Sequence, residues 1–262
     1  MRVRGKLGEA TSKAGALEYR VGAAGLRKKL DSAIKDGAFD ATVEVGAGGW
    51  HQFDVRAVAG GKAVASADVE RLGVGEVFVV AGQSNSANHG AEKQVAKSGR
   101  VAALDGTRWQ PANDPQPGAS GTGGSFLPPV GDAIAEKFGV PVGLVACGVG
   151  ATSVREWLPE GATFPNPPTI EGNVRKHADG KWESKGDLYA AFCARMKALG
   201  PNGFRAVLWH QGESDATQRD ATRTLPGELY REYLEKLIRD SRKDIGWDAP
   251  WFVAQASAHA AK

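Results

Sequence analysis

A chain of 262 residues, 42% hydrophobic and 24% charged, has room for one large globular domain, or for a domain of about 180 residues with a small companion, and either can bury a core. Its 33 Lys and Arg against 30 Asp and Glu leave a formal charge of +3; the basic residues are scattered, with Arg27-Lys28-Lys29 the densest group, which excludes a nucleic-acid footprint. No apolar run approaches the ~20 residues of a membrane span, and the two cysteines, Cys147 and Cys193, build neither a disulfide framework nor a metal set.

In chain order, residues 1–6 are basic but carry no apolar h-region, so no signal peptide is read there, and a secreted or periplasmic home stays compatible with the sequence. Residues 1–75 read as a small all-β, sandwich-like accessory module. Alternation runs through Ala41–Val45 and Trp50–Val58, with Gly46–Gly49 between them; Gly60-Gly61 then leads into Lys62–Glu70. Short alternating runs separated by glycine turns are the pattern of antiparallel hairpins. Leu26–Lys35 reads as a short helix or a loop within that module.

At Glu76 the period changes. Val77–Ala81, Val140–Ala146, Ala206–Trp209 and Trp251–Ala254 are short continuous apolar runs, which suit strands buried on both faces. Helices are predicted at Gly131–Phe138, Lys185–Leu199 and Glu228–Lys243, the last with Leu229, Tyr233 and Leu237 at helical spacing. Strands alternating with helices predict a parallel sheet covered on both faces, a three-layer α/β/α domain over residues 76–262. Cys147 falls in an apolar run and reads as a small buried hydrophobe. The stretches 105–129 and 159–184 are rich in Gly and Pro, and long loops in a compact α/β domain are usually functional. No helix is read after the last strand, so the domain is expected to be incomplete at its C-terminal end.

Ligands of open parallel sheets bind beyond the carboxyl ends of the strands. Three strands here run into polar, glycine-bearing clusters: Gly82-Gln-Ser-Asn-Ser86, then Gly148 to Trp157, then Trp209-His-Gln-Gly-Glu-Ser-Asp215. Ser84 is expected at or near a helix N-terminus, where backbone N–H groups stabilise a developing anion; an ordinary N-cap is the competing reading. Ser86 stands where the G-x-S-x-G elbow needs glycine. Gly148-x-Gly150-x-x-Ser153 approaches a dinucleotide fingerprint, but Ser153 replaces its third small residue, Pro159 cuts the following helix short, and Glu171 lies in a loop. As an oxyanion loop the same glycines let backbone N–H groups approach a substrate oxygen. The Gln211 amide can donate to such an oxygen, and Glu213 can orient neighbouring loops. His210, Glu213 and Asp215 form no recognised metal set.

Together, Gly82-Gln-Ser-Asn85, Gly150-Ala-Thr-Ser-Val-Arg-Glu-Trp157 and Trp209-His-Gln-Gly-Glu-Ser-Asp215 resemble the sialate O-acetylesterase-like family of carbohydrate esterases, over residues 76–262. The resemblance implies an SGNH-hydrolase-like α/β/α fold, removal of acyl groups, usually acetyl, from the hydroxyls of sugars or polysaccharides, and no metal or cofactor. It makes Ser84 the nucleophile and gives the oxyanion hole to the Ser84 N–H, the Gly150 region and the Gln211 side chain, with Gln83, Asn85, Glu213 and Asp215 in support. Where the family often has Gly-Gly, this chain has Gly150-Ala151.

The family's general base is a histidine in a C-terminal D-x-x-H element, which this sequence lacks. Of its five histidines, His259 comes nearest in position, with Ala256 where the aspartate would stand; it is a candidate base. His89 is expected on a helix following Ser84. The expectation is a chain that ends before its base and shows little esterase activity. Two other readings compete: a non-catalytic sugar-binding protein holding a glycan with Trp109, Trp157 and Trp182, and a lipase or thioesterase on the same fold.

Overall fold

The computed structural model describes residues 1–11, 14–216 and 218–255; His259 lies outside them. The chain divides into two compact units, Met1–Gly75 with Phe138–Pro141, and the remainder from Glu76 onward. The first unit contains β1 (Arg2–Lys6), β2 (Ala16–Val21), β3 (Lys28–Lys29), β4 (Ala38–Thr42), β5 (Gly48–Ala59) and β6 (Lys62–Val74). β1 pairs antiparallel with β4, and the others form a sheet in the order β3-β2-β5-β6. The β5–β6 hairpin turns at Gly60-Gly61, with φ of 55° and 76°, the left-handed conformation at both central positions that a tight hairpin turn asks for. Leu17, Leu30, Val43, Phe53 and Ala57 form the unit's core. The Leu26–Lys35 segment holds the two-residue strand β3 and no helix: Leu30 is buried and its N–H donates to Leu17 O at 2.8 Å, which ties the segment to β2 rather than to itself.

The second unit contains β7 (Glu76–Gly82), β8 (Val101–Asp105), β9 (Arg108–Pro111), α1 (Leu127–Phe138), β10 (Val142–Ala146), β11 (Thr163–Phe164), β12 (Val174–Lys176), β13 (Trp182–Ser184), α2 (Asp187–Ala198), β14 (Ala206–His210), α3 (Gly227–Ile245) and β15 (Trp251–Ala254). Its main sheet runs β15-β14-β7-β10-β8-β9, parallel throughout except for the β8–β9 hairpin. Alternate residues of the central strands enter different cores. Val79, Ala81, Val145, Val207 and Trp209 pack with Phe192 and Met196 of α2 and Tyr233 and Leu237 of α3. Phe78, Val80, Leu144 and Ala206 pack with Leu127 and Ala135 of α1. Burial on both faces is why these strands read as unbroken apolar runs, and the result is a three-layer α/β/α domain.

α1 begins ahead of the expected Gly131 because Pro128 and Pro129 fall in its first turn, where the missing N–H is not needed. α3 ends where Gly246, at φ 80°, donates its N–H to Arg242 O at 3.0 Å, a left-handed C-cap. The stretch 159–184 contains the small sheet β11-β13-β12, whose two- and three-residue strands are too short to show a period. The expected helix after Ser84 is absent: a 3-10 turn covers Ser84–Ser86, and irregular chain carrying His89 leads on to β8. The Asn85–Ser98 stretch has no apolar stripe that a helix could bury.

Candidate active site

The three polar clusters follow β7, β10 and β14, neighbours in the parallel sheet, so they meet at its carboxyl edge. Gly82 makes the first crossing. Its φ is 128°, and a Cβ there would lie 2.0 Å from the His210 carbonyl oxygen, so only glycine lets β7 end against β14. The next residue locks the crossing, with the Gln83 N–H donating to His210 O at 3.0 Å. The buried Gln83 Oε1 accepts from Ser214 N–H at 3.0 Å, Gly212 N–H at 3.3 Å and Gln211 Nε2 at 3.2 Å. Gln83 therefore fastens the Ser84 turn to the loop after β14. Asn85 adds a second tie, donating from Nδ2 to Glu213 Oε1 at 2.6 Å.

The loop after β10 closes from the other side. Val149 N–H donates to Gly82 O at 2.9 Å. A Cβ on Gly148 would meet Ser86 O at 2.3 Å, so this glycine too is required by close approach. Gly150 N–H donates to Ser120 Oγ at 2.7 Å, and the same hydroxyl lies 3.0 Å from His89 Nε2. The Gly150 N–H, expected to face an oxyanion, is aimed at the Ser120 hydroxyl here.

Beneath this edge lies a buried charged network. The Asp215 carboxylate accepts from Ser153 Oγ, from Val154 N–H at 2.9 Å, from Gln211 Nε2 at 2.7 Å and from Arg155 Nη2 at 3.3 Å. Arg155 is fully buried and also donates to the carbonyls of Asn166, Pro167 and Arg223. Glu156 accepts from Ser153 N–H at 2.6 Å and Asn173 Nδ2 at 2.9 Å, completing a capping box. Burial raises the affinity of Asp215 for its proton, against the opposing pull of Ser153, Val154 and Arg155. Burial likewise pushes the Glu156 carboxyl up to about 7.

A carboxyl whose affinity for its proton rises on folding favours the folded state fully below its unfolded value, and that contribution is lost as pH rises through the folded one. The window here runs from 4.5 to about 7 and is worth up to about 3 kcal/mol. Glu156→Gln should flatten the loss of stability across that same window in urea unfolding, relative to the unaltered protein. Parallel pH dependences of the two proteins would contradict this placement of Glu156.

The Gln211 amide sits inside this network. Its Nε2 faces three acceptors, Gln83 Oε1, Thr152 O and Asp215 Oδ2, more than its two hydrogens can serve. The side chain expected to face the oxyanion is a buried cross-link here. Trp157 is also redirected: it is 1% exposed, packed edge-on against Phe192 and Trp209, so it cannot hold a glycan. Trp109 is 46% exposed on the edge strand β9.

Ser84 is half-buried and opens into a pocket of about 480 Å³, lined among others by Asn85, His89, Gly124, Phe126 and His210. Of the residues singled out in the sequence, Ser84 and Asn85 line this pocket, while Gln83, Gln211 and Asp215 support it from below and Glu213 touches Asn85. Phe126 and Ser120 were not visible as site residues, since they lie in a loop whose path the sequence does not reveal. His210 was hidden inside a motif whose other members carried the signal.

A parallel sheet between two helical layers, with the Ser84 turn and the glycine loop after β10 meeting at its carboxyl edge, is an SGNH-hydrolase-like fold. The chain belongs to the family described as carbohydrate esterase, sialic acid-specific acetylesterase, which matches residues 74–262. Among solved structures, a carbohydrate acetylesterase from Xanthomonas citri superposes with a TM-score of 0.54 at 21% identity, over 97% of this chain and 55% of that one. This chain thus spans little more than half the length of that protein. A protein from Arabidopsis thaliana gives 0.47 at 20% identity over 68% and 72% of the two chains, and NanS gives 0.44 at 18% over 68% and 66%. At 21% identity the likeness to the Xanthomonas citri protein is one of fold. No curated protein matches the chain by sequence.

Proposed function

We propose that the chain removes acetyl groups from the hydroxyls of O-acetylated sugars, with Ser84 as acyl acceptor. The observation that carries this is the position of Ser84: a half-exposed hydroxyl in a pocket at the carboxyl edge of the sheet, on a turn pinned by Gln83 and Asn85. Ser84 Oγ attacks the ester carbonyl carbon. The oxygen that becomes anionic is received by the Ser84 N–H and by Gly150 N–H, which exchanges Ser120 Oγ for it. The C–O bond to the sugar breaks, the sugar oxygen takes a proton, and water then hydrolyses acetyl-Ser84 to release acetate.

Gln211 and Asp215 act in this reading by holding Thr152–Arg155 against the loop after β14. The pocket offers Asn85, Ser125 and two imidazoles with the single ring of Phe126, a lining suited to a short acyl group on a polar alcohol rather than to a long alkyl chain. Acetate release from O-acetylated sialic acid and from acetylated xylo-oligosaccharides should exceed cleavage of p-nitrophenyl octanoate. Preference for the octanoate would support the lipase or thioesterase reading. Sugar binding with no acetate release would support the binding-protein reading.

A further inference from the structure

We propose that His89 selects the alcohol side of the ester, its Nδ1–H donating to an oxygen on the carbon next to the acetylated one. Acetates of vicinal diols, as in sugars, are then preferred to simple alkyl acetates; this rests on the reading of Ser84 as acyl acceptor. His89 is exposed and lines the pocket into which Ser84 opens. An exposed side chain is ordinarily free to turn, but the chain on both sides of this one is laced to residues 120–124. Asn88 N–H donates to Ser120 O at 2.9 Å, and Asn88 O accepts from Gly123 N–H at 2.8 Å. Gly90 and Gly124 each donate an N–H to the other's carbonyl at 2.8 Å. The ring itself rests on glycines: a Cβ on Gly150 would lie 2.4 Å from His89 Nε2, and one on Gly121 3.0 Å from the same atom. A binding group held in place before its ligand arrives loses less freedom on binding.

A chain of hydrogen bonds sets the tautomer of the ring. Gly150 N–H donates to Ser120 Oγ at 2.7 Å, and that oxygen lies 3.0 Å from His89 Nε2. Having accepted from Gly150, the hydroxyl has its own hydrogen to place, and His89 Nε2 is the acceptor that it meets among the described residues. A neutral imidazole that accepts at Nε2 carries its hydrogen on Nδ1. No partner for His89 Nδ1 stands among the described residues. Nε2 is thus spent on the loop, and the Nδ1–H is left for a ligand. The hydroxyl keeps its bond to Nε2 when an ester oxygen takes the Gly150 N–H, so the donor survives the reaction. A plain alkyl or aryl alcohol offers that donor nothing, whereas the oxygen beside an acetylated position on a sugar ring offers it an acceptor.

The test compares kcat/KM for cyclohexyl acetate and for the monoacetate of vicinal cyclohexanediol, each divided by its rate of hydrolysis in hydroxide to remove intrinsic reactivity. The unaltered protein should prefer the hydroxy ester on the order of 10-fold, the worth of one added hydrogen bond. His89→Gln carries a polar group where Nε2 stands and none where Nδ1 stands. It keeps the tie to Ser120 and should abolish the preference. His89→Asn places its amide where Nδ1 stands, so it should keep much of the preference although the tie to Ser120 is lost. A purely structural role predicts the reverse order, with Gln tolerated and Asn not, and that result overturns the proposal. Equal normalised rates for the two esters in the unaltered protein also overturn it, while the reading of Ser84 stands. If neither ester releases acetate and p-nitrophenyl acetate leaves no adduct on Ser84, the functional reading itself fails, and the proposal with it.

Discussion

Ser84→Ala should lower kcat for acetate release on the order of 10⁴-fold or more, because in the proposed reaction the Ser84 hydroxyl carries the acyl intermediate. The variant should fold as before. The Ser84 contact that organises its turn is made by the backbone, with the Ala87 N–H donating to Ser84 O at 3.1 Å, and alanine keeps it. Equal unfolding midpoints together with lost turnover separate a chemical role from a structural one. The control is Ser120→Ala. Ser120 also lies beside an imidazole, His89, at 3.0 Å, but its hydroxyl is held by Gly150 N–H. Its removal should change the oxyanion loop modestly and leave the acyl acceptor in place. Retained turnover in Ser84→Ala together with loss in Ser120→Ala would exchange the two assignments.

Asp215→Ala should lower stability by about 3–5 kcal/mol, read as a large fall in the urea midpoint or as failure to fold. The carboxylate is the anionic partner of a fully buried Arg155 and accepts from Ser153, Val154 and Gln211 besides. Alanine leaves the guanidinium charge uncompensated and strands those donors. The remaining carbonyl partners of Arg155, on Asn166, Pro167 and Arg223, hydrogen-bond it but do not neutralise it. Gln211→Ala makes the companion measurement. As a cross-link, Gln211 should cost about 1–3 kcal/mol when removed. As an oxyanion donor, it would instead cost kcat with stability unchanged. An Asp215→Ala protein with the unaltered midpoint would contradict the structural role given to the network.

What the sequence reveals follows from what periodicity and spacing can encode. Val77–Ala81 and Ala206–Trp209 are buried on both faces, so their apolar runs are visible without knowing their neighbours. The three clusters at the strand ends converge because parallel strands share a carboxyl edge, a topological consequence rather than a local one. A serine after a strand suggests a helix start because serine caps helices so often; only the polar stretch that follows Ser84 tells against one. Gln211 looked like a donor free to face a substrate, and nothing local tells that Thr152 O and Asp215 Oδ2 are waiting for its hydrogens. Trp157 read as a sugar platform for the same reason: its burial depends on Phe192 and Trp209, residues far along the chain. The i, i+3 spacing of His210 and Glu213 was legible, but not the placement of the imidazole on the Ser84 pocket.

The most direct test of the central claim is to trap the acyl-enzyme. The protein is mixed with p-nitrophenyl acetate, quenched in acid and mapped by peptide mass. The account predicts a single acetyl adduct on the peptide that carries Ser84, absent from Ser84→Ala. An acetyl group on Ser120 or another serine, or acetate release with no serine adduct, would contradict it.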